Sequence, residues 1–397
     1  MNFVFISPHF PDNYWNFCDR LHRNGVTVLG IGDAPYESLR QELKEALTEY
    51  YRVDNMKNYD EMFRAMAFFS FHYGHIDWVE SNNEYWLEQD ALLRSDFNIC
   101  SGLKAHEISR YKSKSLMKEY YAKAGIPTAR WRIATTLADA RRFVREVGWP
   151  LIAKPDNGVG AEETYALHNY QELKSFFAVP NRPKYLLEEY IDGEVVTYDG
   201  VSDGNAQALY AASHITPEGP LAITNGLAPL WYYVDPQMSP VLRRMGEDVL
   251  KSFDARNRFF HCEFFRLKSD KPGLGKAGDF LGLEVNMRPA GGYTVDMLNY
   301  AGSVDLYQLW ADMVAFGKSR HPIETQRQFC CCTSRRDGKS YRYTHEQILQ
   351  KYADHIKMTP RLPAVLARAM GDQLYLATFT DGRNMRAFRT MVQAVPR

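Results

Sequence analysis

The sequence predicts a protein of α/β and α+β class, with a parallel sheet at its start and mixed layers after it. Three observations predict this. Short apolar runs alternate with helical stretches through the first quarter of the chain. Strand-like runs joined by glycine turns dominate the middle. Two strands, "RFFHCEFFRLKSD" and "DFLGLEVNMRP", flank the loop "KSDKPGLGKAG" as a hairpin-like element. At 397 residues the chain is too long for one ordinary core and suits two or three domains.

Taken in order, Phe3 to Ser7 form an apolar run ended by Pro8. A helical stretch spans about Trp15 to Arg23, followed by Gly25 and the run "VTVLGIG". The pattern repeats through "YYRVDN", the helical "YDEMFRAMAFFSFHYG" and "IDWVES". Such alternation makes parallel strands with helical crossovers. Open α/β sheets bind ligands at the carboxyl ends of their strands. The loop "SPHFPDNYW" after the first strand therefore either lines a site or starts a helix with buried aromatics. "SGLKAHEISRYKSKSLMKEYYAKAG" reads as one long helical segment, closed by Gly125 with Pro127 beyond it. "LADARRFVREVGWPLIAKPDNGVGAEETYAL" gives helix, strand, glycine turn and strand. "KYLLEEYIDGEVVTYDGVSDGNAQALYAASHIT" gives several strands, and "SPVLRRMGEDVLKSFDA" and "SVDLYQLWADMVAFG" give helices. From about Lys318 the tail alternates short strands with the helix "THEQILQKYADHI". No internal repeat or low-complexity linker interrupts this order.

Composition narrows the function classes. Hydrophobic residues make up 45%, charged residues 24%, and the net charge is zero. A broad electrostatic grip on nucleic acid or on an acidic membrane is thereby disfavoured. No segment has the length of a membrane span. "MNFVFISPHF" lacks a basic stretch, and its apolar run is too short for a signal peptide. The cysteines are Cys18, Cys100, Cys262 and the run Cys330-Cys331-Cys332, with no C-x-x-C spacing. Neighbours in a strand point to opposite faces, so the triple run forms no single cluster. These are expected to be reduced, mostly buried thiols of a cytoplasmic protein.

The chemistry gathers in a few places. Glu284, Asn286 and Arg288 stand two residues apart and share one strand face. If the hairpin pairs, Glu263 can face the same side. Two acids and an amide oxygen suit Mg²⁺, which takes hard oxygen ligands. Arg288 could stabilise a transferring phosphate or bind a carboxylate. A solvated strand face with ion pairs is the other reading. Lys154 ends the apolar run "WPLIAK" before a loop holding Gly158 and Gly160. That arrangement can hold phosphates, although it lacks the P-loop pattern, and an ordinary turn fits it too. "LLEEYIDGE" ends an apolar strand with acids. His72, His75 and His261 are candidate bases, but a lone histidine among apolar residues is more often packed or at the surface.

Together and in this order, these features resemble the ATP-grasp superfamily of carboxylate–amine ligases, the group that includes L-amino acid ligases and the carbamoyl-phosphate synthetase large subunit. The resemblance runs from about Ser81 to Gly317. Lys114 stands eleven residues before Gly125 of "GIPT", where several members carry their first phosphate-binding lysine. Lys154 matches the second. Glu188, Glu189, Tyr190 and Ile191 match the adenine-contacting hinge, and Glu194 the ribose-binding acid. The metal ligands carry over onto Glu263, Glu284 and Asn286, and the anion-stabilising arginine onto Arg288. Glu84 stands at the usual acid position near the end of the first domain. The resemblance implies a pre-ATP-grasp α/β domain over 1–102, an ATP-grasp fold over 103–317 with a lid at about 126–190, and a small α+β segment over 318–397. It implies ATP, two Mg²⁺ replaceable by Mn²⁺, and small-molecule carboxylate and amine substrates, plausibly with an amino acid as the carboxylate. Family members are often dimers, so a homodimer is allowed; nucleic acid and membrane are not expected. The loop has fewer glycines than biotin-carboxylase-like members, and the Glu263-to-Glu284 connection is long, which leaves the substrate class open. Carboxyphosphate chemistry and a non-catalytic ATP-binding regulator are the alternatives. One set of motifs argues against the duplicated synthetase, and the complete ligand set argues against the regulator. Specificity is expected in "SPHFPDNYW", "PAGGYTVDM" and the tail.

Overall fold

The alternating apolar runs at the start fold as parallel strands in the computed structural model, which describes residues 1–158, 163–180, 184–218, 229–323 and 327–396. Strands β1 (Asn2–Ile6), β2 (Thr27–Gly32), β3 (Glu49–Arg52) and β4 (Trp78–Glu80) lie in the order β3-β2-β1-β4. All neighbours are parallel. Both faces of this sheet are covered. Phe3 and Phe5 pack toward Phe17 of the helix Trp15–Arg23, whereas Val4 and Ile6 pack toward Met62 and Phe69 of the helix Tyr59–Tyr73.

A smaller antiparallel sheet follows, with order β5-β8-β6-β7: β5 (Trp131–Ile133), β6 (Leu151–Pro155), β7 (Tyr165–Leu167) and β8 (Tyr185–Glu189). Phe143 and Phe176, from the helices Leu137–Val147 and Tyr170–Ala178, fill one face of it.

The largest layer has eight strands: β9 (Gly193–Ser202), β10 (Ala208–Thr216), β11 (Trp231–Asp235), β12 (Arg258–Leu267), β13 (Phe280–Asn286), β14 (Phe329–Arg335), β15 (Ile356–Met358) and β16 (Gln373–Phe379). Their order is β13-β12-β9-β10-β11-β14-β16-β15. Alternation along β9 and β12 sends Tyr198, Phe260, Cys262 and Phe264 toward the helices Lys114–Lys123 and Pro240–Phe253. Val201 and Phe259 face the helices over the first sheet instead, where Phe17 meets Phe259 edge-on at 5.6 Å and Trp310 at 5.1 Å. The expected hairpin of β12 and β13 is present, and strands from the tail extend the same sheet beyond β11. Cys330 and Cys332 enter one core and Cys331 another; all six thiols are free, and Cys100 alone is exposed.

The long helix expected from Ser101 is much shorter. A 3-10 turn at Ile108–Tyr111 precedes the helix Lys114–Lys123, which is capped by the Ser113 hydroxyl accepting from Leu116 N. Tertiary partners hold the preceding residues out of a helix: Arg94 donates to Leu103 O at 2.8 Å, and Lys112 donates to Glu84. The end of "PAGGYTVDM", expected to carry specificity, belongs to a helix at Thr294–Gly302. Among the described residues, no helix is long and apolar enough to cross a membrane.

A buried charge knot joins the first sheet to the largest one. Glu80, at the end of β4, lies 3.1 Å from Arg94 and 3.3 Å from Arg258 at the start of β12. Arg258 also donates to Met287 O at 3.1 Å. Asp90 accepts from Ser81 N and Ser81 Oγ and faces Glu80. Burial, then the charge of Glu80, pushes the Asp90 carboxyl up to about 8, while Arg94 and Arg258 outweigh burial and hold Glu80 down. Asp90 therefore keeps its proton in the fold at pH values where the unfolded chain, with a pKa of ~4, has lost it. Its contribution is fully present below ~pH 4 and declines as pH rises through about 8. Asp90→Asn can still accept from Ser81 and donate to Glu80. Urea unfolding across this window should show wild type losing stability that the variant keeps; parallel curves would refute the assignment.

Candidate active site

The site begins with a helix start that the small sheet holds in place. Asp156, just past β6, accepts from Ser115 N at 2.7 Å and from the Ser113 and Ser115 hydroxyls at 3.1 Å each. Its backbone oxygen takes Lys114 N at 2.8 Å. A carboxylate here meets unpaired amides and the positive end of the helix. Its pKa is lowered: burial works against ionisation, and the hydrogen bonds from Lys184 and Ser115 win. Lys114 at this helix start reaches Gly158 O at 3.2 Å and Glu284 Oε1 at 3.3 Å. Gly160, the other loop glycine singled out in the sequence, lies outside the described residues.

One turn further along, Lys118 shares the face of Lys114. Glu188 of β8 sits between two lysines, 2.7 Å from Lys118 Nζ and 2.6 Å from Lys154 Nζ. All three side chains are buried. Burial would raise the Glu188 carboxyl, but the two ammonium groups hold it at about 2. Burial lowers Lys118 more than Glu188 restores it; for Lys154, Glu188 and Glu284 together outweigh burial and raise it. Lys118 was missed in the sequence, although its spacing of four from Lys114 was the available signal.

The β12–β13 hairpin brings the acids together. Glu263 and Glu284 are direct cross-strand partners, and so are His261 and Asn286. Beyond Glu263 the register shifts, because Phe264 pairs with Gly282 and Leu283 is left as the extra residue of a bulge. The helix Lys114–Lys123 takes up the bulge. Lys118 Nζ donates to Leu283 O at 3.2 Å, and the Tyr121 hydroxyl lies 3.2 Å from Glu263 O and 3.1 Å from Glu284 O. Tyr121 can approach this closely because residue 282 is glycine; a Cβ there would lie 2.6 Å from the ring.

Arg288 stands just past β13, with Nε 3.6 Å from Glu84 Oε2. Glu84 is also held by Lys112 at 3.0 Å. The two nominated loops touch: Asn13 donates to Gly292 O at 3.4 Å and to Asp296 at 2.9 Å. The remaining expected residues are less central. Glu189 points the opposite way from Glu188, to Arg130 at 2.7 Å and Lys271 at 2.8 Å. Tyr190 is exposed, with its carbonyl taking Lys271 Nζ, and Ile191 is buried. Both contacts from Arg266 to Glu194 fall on Oε2. His72 and His75 are exposed on the first domain. His261 is buried between Asp199 at 2.7 Å and Glu263 at 2.9 Å. Burial would lower His261, but Asp199 and then Glu263 raise it to about 9. The His261 contact in turn outweighs burial and keeps the Glu263 carboxyl low.

Glu263 and Glu284 are cross-strand partners, Asn286 follows on the same face of β13, and Lys114 lies 3.3 Å from Glu284; side-chain oxygens of this kind suit a hard divalent cation and not a soft one. Removing one member of a buried ion group costs ~3–5 kcal/mol. Lys118→Met should therefore lower stability to urea by about 3 kcal/mol, the lower end because Lys154 still holds Glu188. The Glu188 pKa lies below the ordinary value of ~4.3, so its contribution is present above that pH and fades as pH falls toward about 2. The variant should narrow this acid-dependent step; an unchanged pH profile would contradict the geometry.

No family model matches the chain. It is 23% identical over 269 residues to the alanine–anticapsin ligase of Bacillus subtilis (strain 168), covering 61% of this chain and 54% of that one. The chain spans about half the length of the curated relatives it matches at this coverage. The L-amino acid ligase structure from Bacillus licheniformis superposes with a TM-score of 0.74 at 16% identity, over 98% of this chain and 96% of that one. N5-carboxyaminoimidazole synthetase from Staphylococcus aureus gives 0.68 at 14%, over 98% and 96%. The chain's relatives in sequence and structure are ATP-grasp ligases, and its fold is theirs.

Proposed function

We propose that this chain is an ATP-dependent ligase that joins a small carboxylate, plausibly an amino acid, to an amine, releasing ADP and phosphate. The observation that carries the reading is the gathering of Lys114 and Lys154 around Glu284 and Glu188, with Glu263 and Asn286 on the same strand face and the Arg288 charge acting on Glu263. A nucleotide-binding protein without turnover has no use for that whole set. Similarity to an amino acid ligase in sequence and fold supports the substrate class.

In this reading Lys114 and Lys154 bind the triphosphate, exchanging carboxylate partners for phosphate oxygens. The backbone of Glu188 to Ile191 meets adenine. Glu194 turns Oε1 to the ribose, since Arg266 occupies Oε2. Glu263, Glu284 and Asn286 would hold two Mg²⁺, replaceable by Mn²⁺; when bound, these supply positive charge at the phosphate oxygens. Phosphoryl transfer needs alignment and charge neutralisation more than covalent chemistry from the protein. The substrate carboxylate attacks the terminal phosphorus and ADP leaves. The amine nitrogen then attacks the acyl carbon, the bond from that carbon to the phosphate oxygen breaks, and the proton the nitrogen loses goes to the departing phosphate. Arg288, braced by Glu84, holds the acyl phosphate and the developing oxyanion. The loop after Lys154 would exclude water from this species. The touching loops around Asn13 and Gly292 are where we place substrate choice.

Phosphate release with Mg-ATP should depend on a pool of amino acids or other carboxylates offered with amines. Glu284→Ala should lower it at least about a hundredfold, since a lost metal ligand forfeits several kcal/mol of charge stabilisation. Release that no pool stimulates, or that survives this substitution, would overturn the reading. Lys154→Ala should weaken ATP binding about tenfold or more in a direct titration; unchanged affinity would remove its phosphate role.

A further inference from the structure

Behind Glu263, on the same sheet face, a chain of hydrogen bonds runs across three strands. Asp199 of β9 is the cross-strand partner of His261 on β12. Its Oδ1 meets His261 Nδ1 at 2.7 Å. Its Oδ2 meets His214 Nδ1 of β10 at 2.7 Å and also accepts from the Thr197 hydroxyl. His261 Nε2 lies 2.9 Å from Glu263 Oε1. Asp199, His214 and His261 are all buried.

Both ring nitrogens of His261 are already engaged, Nδ1 by Asp199 and Nε2 by Glu263. The ligand-type atoms of Asp199, His214 and His261 lie within 4.8 Å of one another, the spacing of a metal site. With a carboxylate at each of its nitrogens, His261 sits as a support behind Glu263.

What it supports follows from geometry. A glutamate side chain has three rotatable bonds, and Glu263 stands at a bulge with the Arg288 charge nearby. His261 Nε2 engages only Oε1 of that carboxylate, at 2.9 Å, and leaves Oε2 to another partner. Asp199, 2.7 Å from the opposite ring nitrogen, fixes the orientation of the imidazole. We propose that His261, anchored by Asp199, is a positioning residue: it fixes Oε1 of Glu263 so that Oε2 is presented to the divalent cation. The proposal rests on the metal assignment made above.

Mn²⁺ binding to the ADP-loaded full chain, read from the paramagnetic resonance of free Mn²⁺, tests it without any turnover. His261→Gln and Asp199→Asn should each weaken Mn²⁺ about 10–100-fold, the usual cost of losing a partner behind a metal ligand. ADP binding without divalent cation should stay within about twofold, and His214→Gln, which touches Asp199 but not Glu263, should change Mn²⁺ affinity by less than about threefold. Mn²⁺ affinity unchanged in a folded His261→Gln protein overturns the proposal, as does a His214→Gln loss as large as that of His261→Gln, which would mark the network as general packing. If His261→Gln does not fold, Asp199→Asn carries the same decision. Wild type and Glu263→Gln binding Mn²⁺ alike would fail the metal assignment itself, and the proposal with it.

Discussion

Tyr121 lies against Gly282 with its hydroxyl between the carbonyls of Glu263 and Glu284. That contact welds the helix carrying Lys114 and Lys118 to the hairpin carrying the acids. It also braces the bulge, with the single hydroxyl hydrogen shared between two carbonyls of the hairpin. The bulge matters because side chains alternate along a strand, and a one-residue slip reverses every one of them. With the extra residue at Leu283, Glu263 and Glu284 share a face on one side of the irregularity, and the apolar pairing resumes on the other.

Around this weld the protein keeps more charge buried than a stable core needs. Lys114, Lys118, Lys154 and Glu188 are all removed from water. A buried ion pair is seldom more stable than an apolar replacement of the same shape. Under the proposed function the arrangement is readiness: Lys114 and Lys154 rest on carboxylates that a triphosphate would displace. Among the described residues, only Glu188 pairs with two of the three lysines at once. Lys118, which also props Leu283 O, has the more structural position of the pair, and Lys154, at the end of β6, the more exchangeable one.

Much of this was legible along the chain because it is local. Glu284, Asn286 and Arg288 announce a shared face by their spacing alone, and Lys154 announces a strand end. Lys118 is equally local, four residues after Lys114, but a lysine on a helix is usually solvated, so its position alone does not single it out. Asp199, Glu80 and Arg258 were not legible, since each acts through a partner set by strand register or domain docking. Alternation says that one of Glu188 and Glu189 turns inward but does not say which. The overlong helix from Ser101 failed for the opposite reason: its residues have good local propensity, but Leu103 O and Lys112 are engaged by Arg94 and Glu84.

The eight-stranded sheet does not stop where the site does. β14 hydrogen-bonds along β11, and β16 and β15 continue outward from it. Trp231, Cys331 and Tyr375 share a core across that seam. Shortening the protein after the helix Leu306–Phe316 would strip β11 of its neighbour and bare an apolar strand edge, the template on which chains stack into aggregates. The last three strands of the sheet therefore protect an edge as well as extending a scaffold, and a shortened form of this protein would have to carry them or replace them.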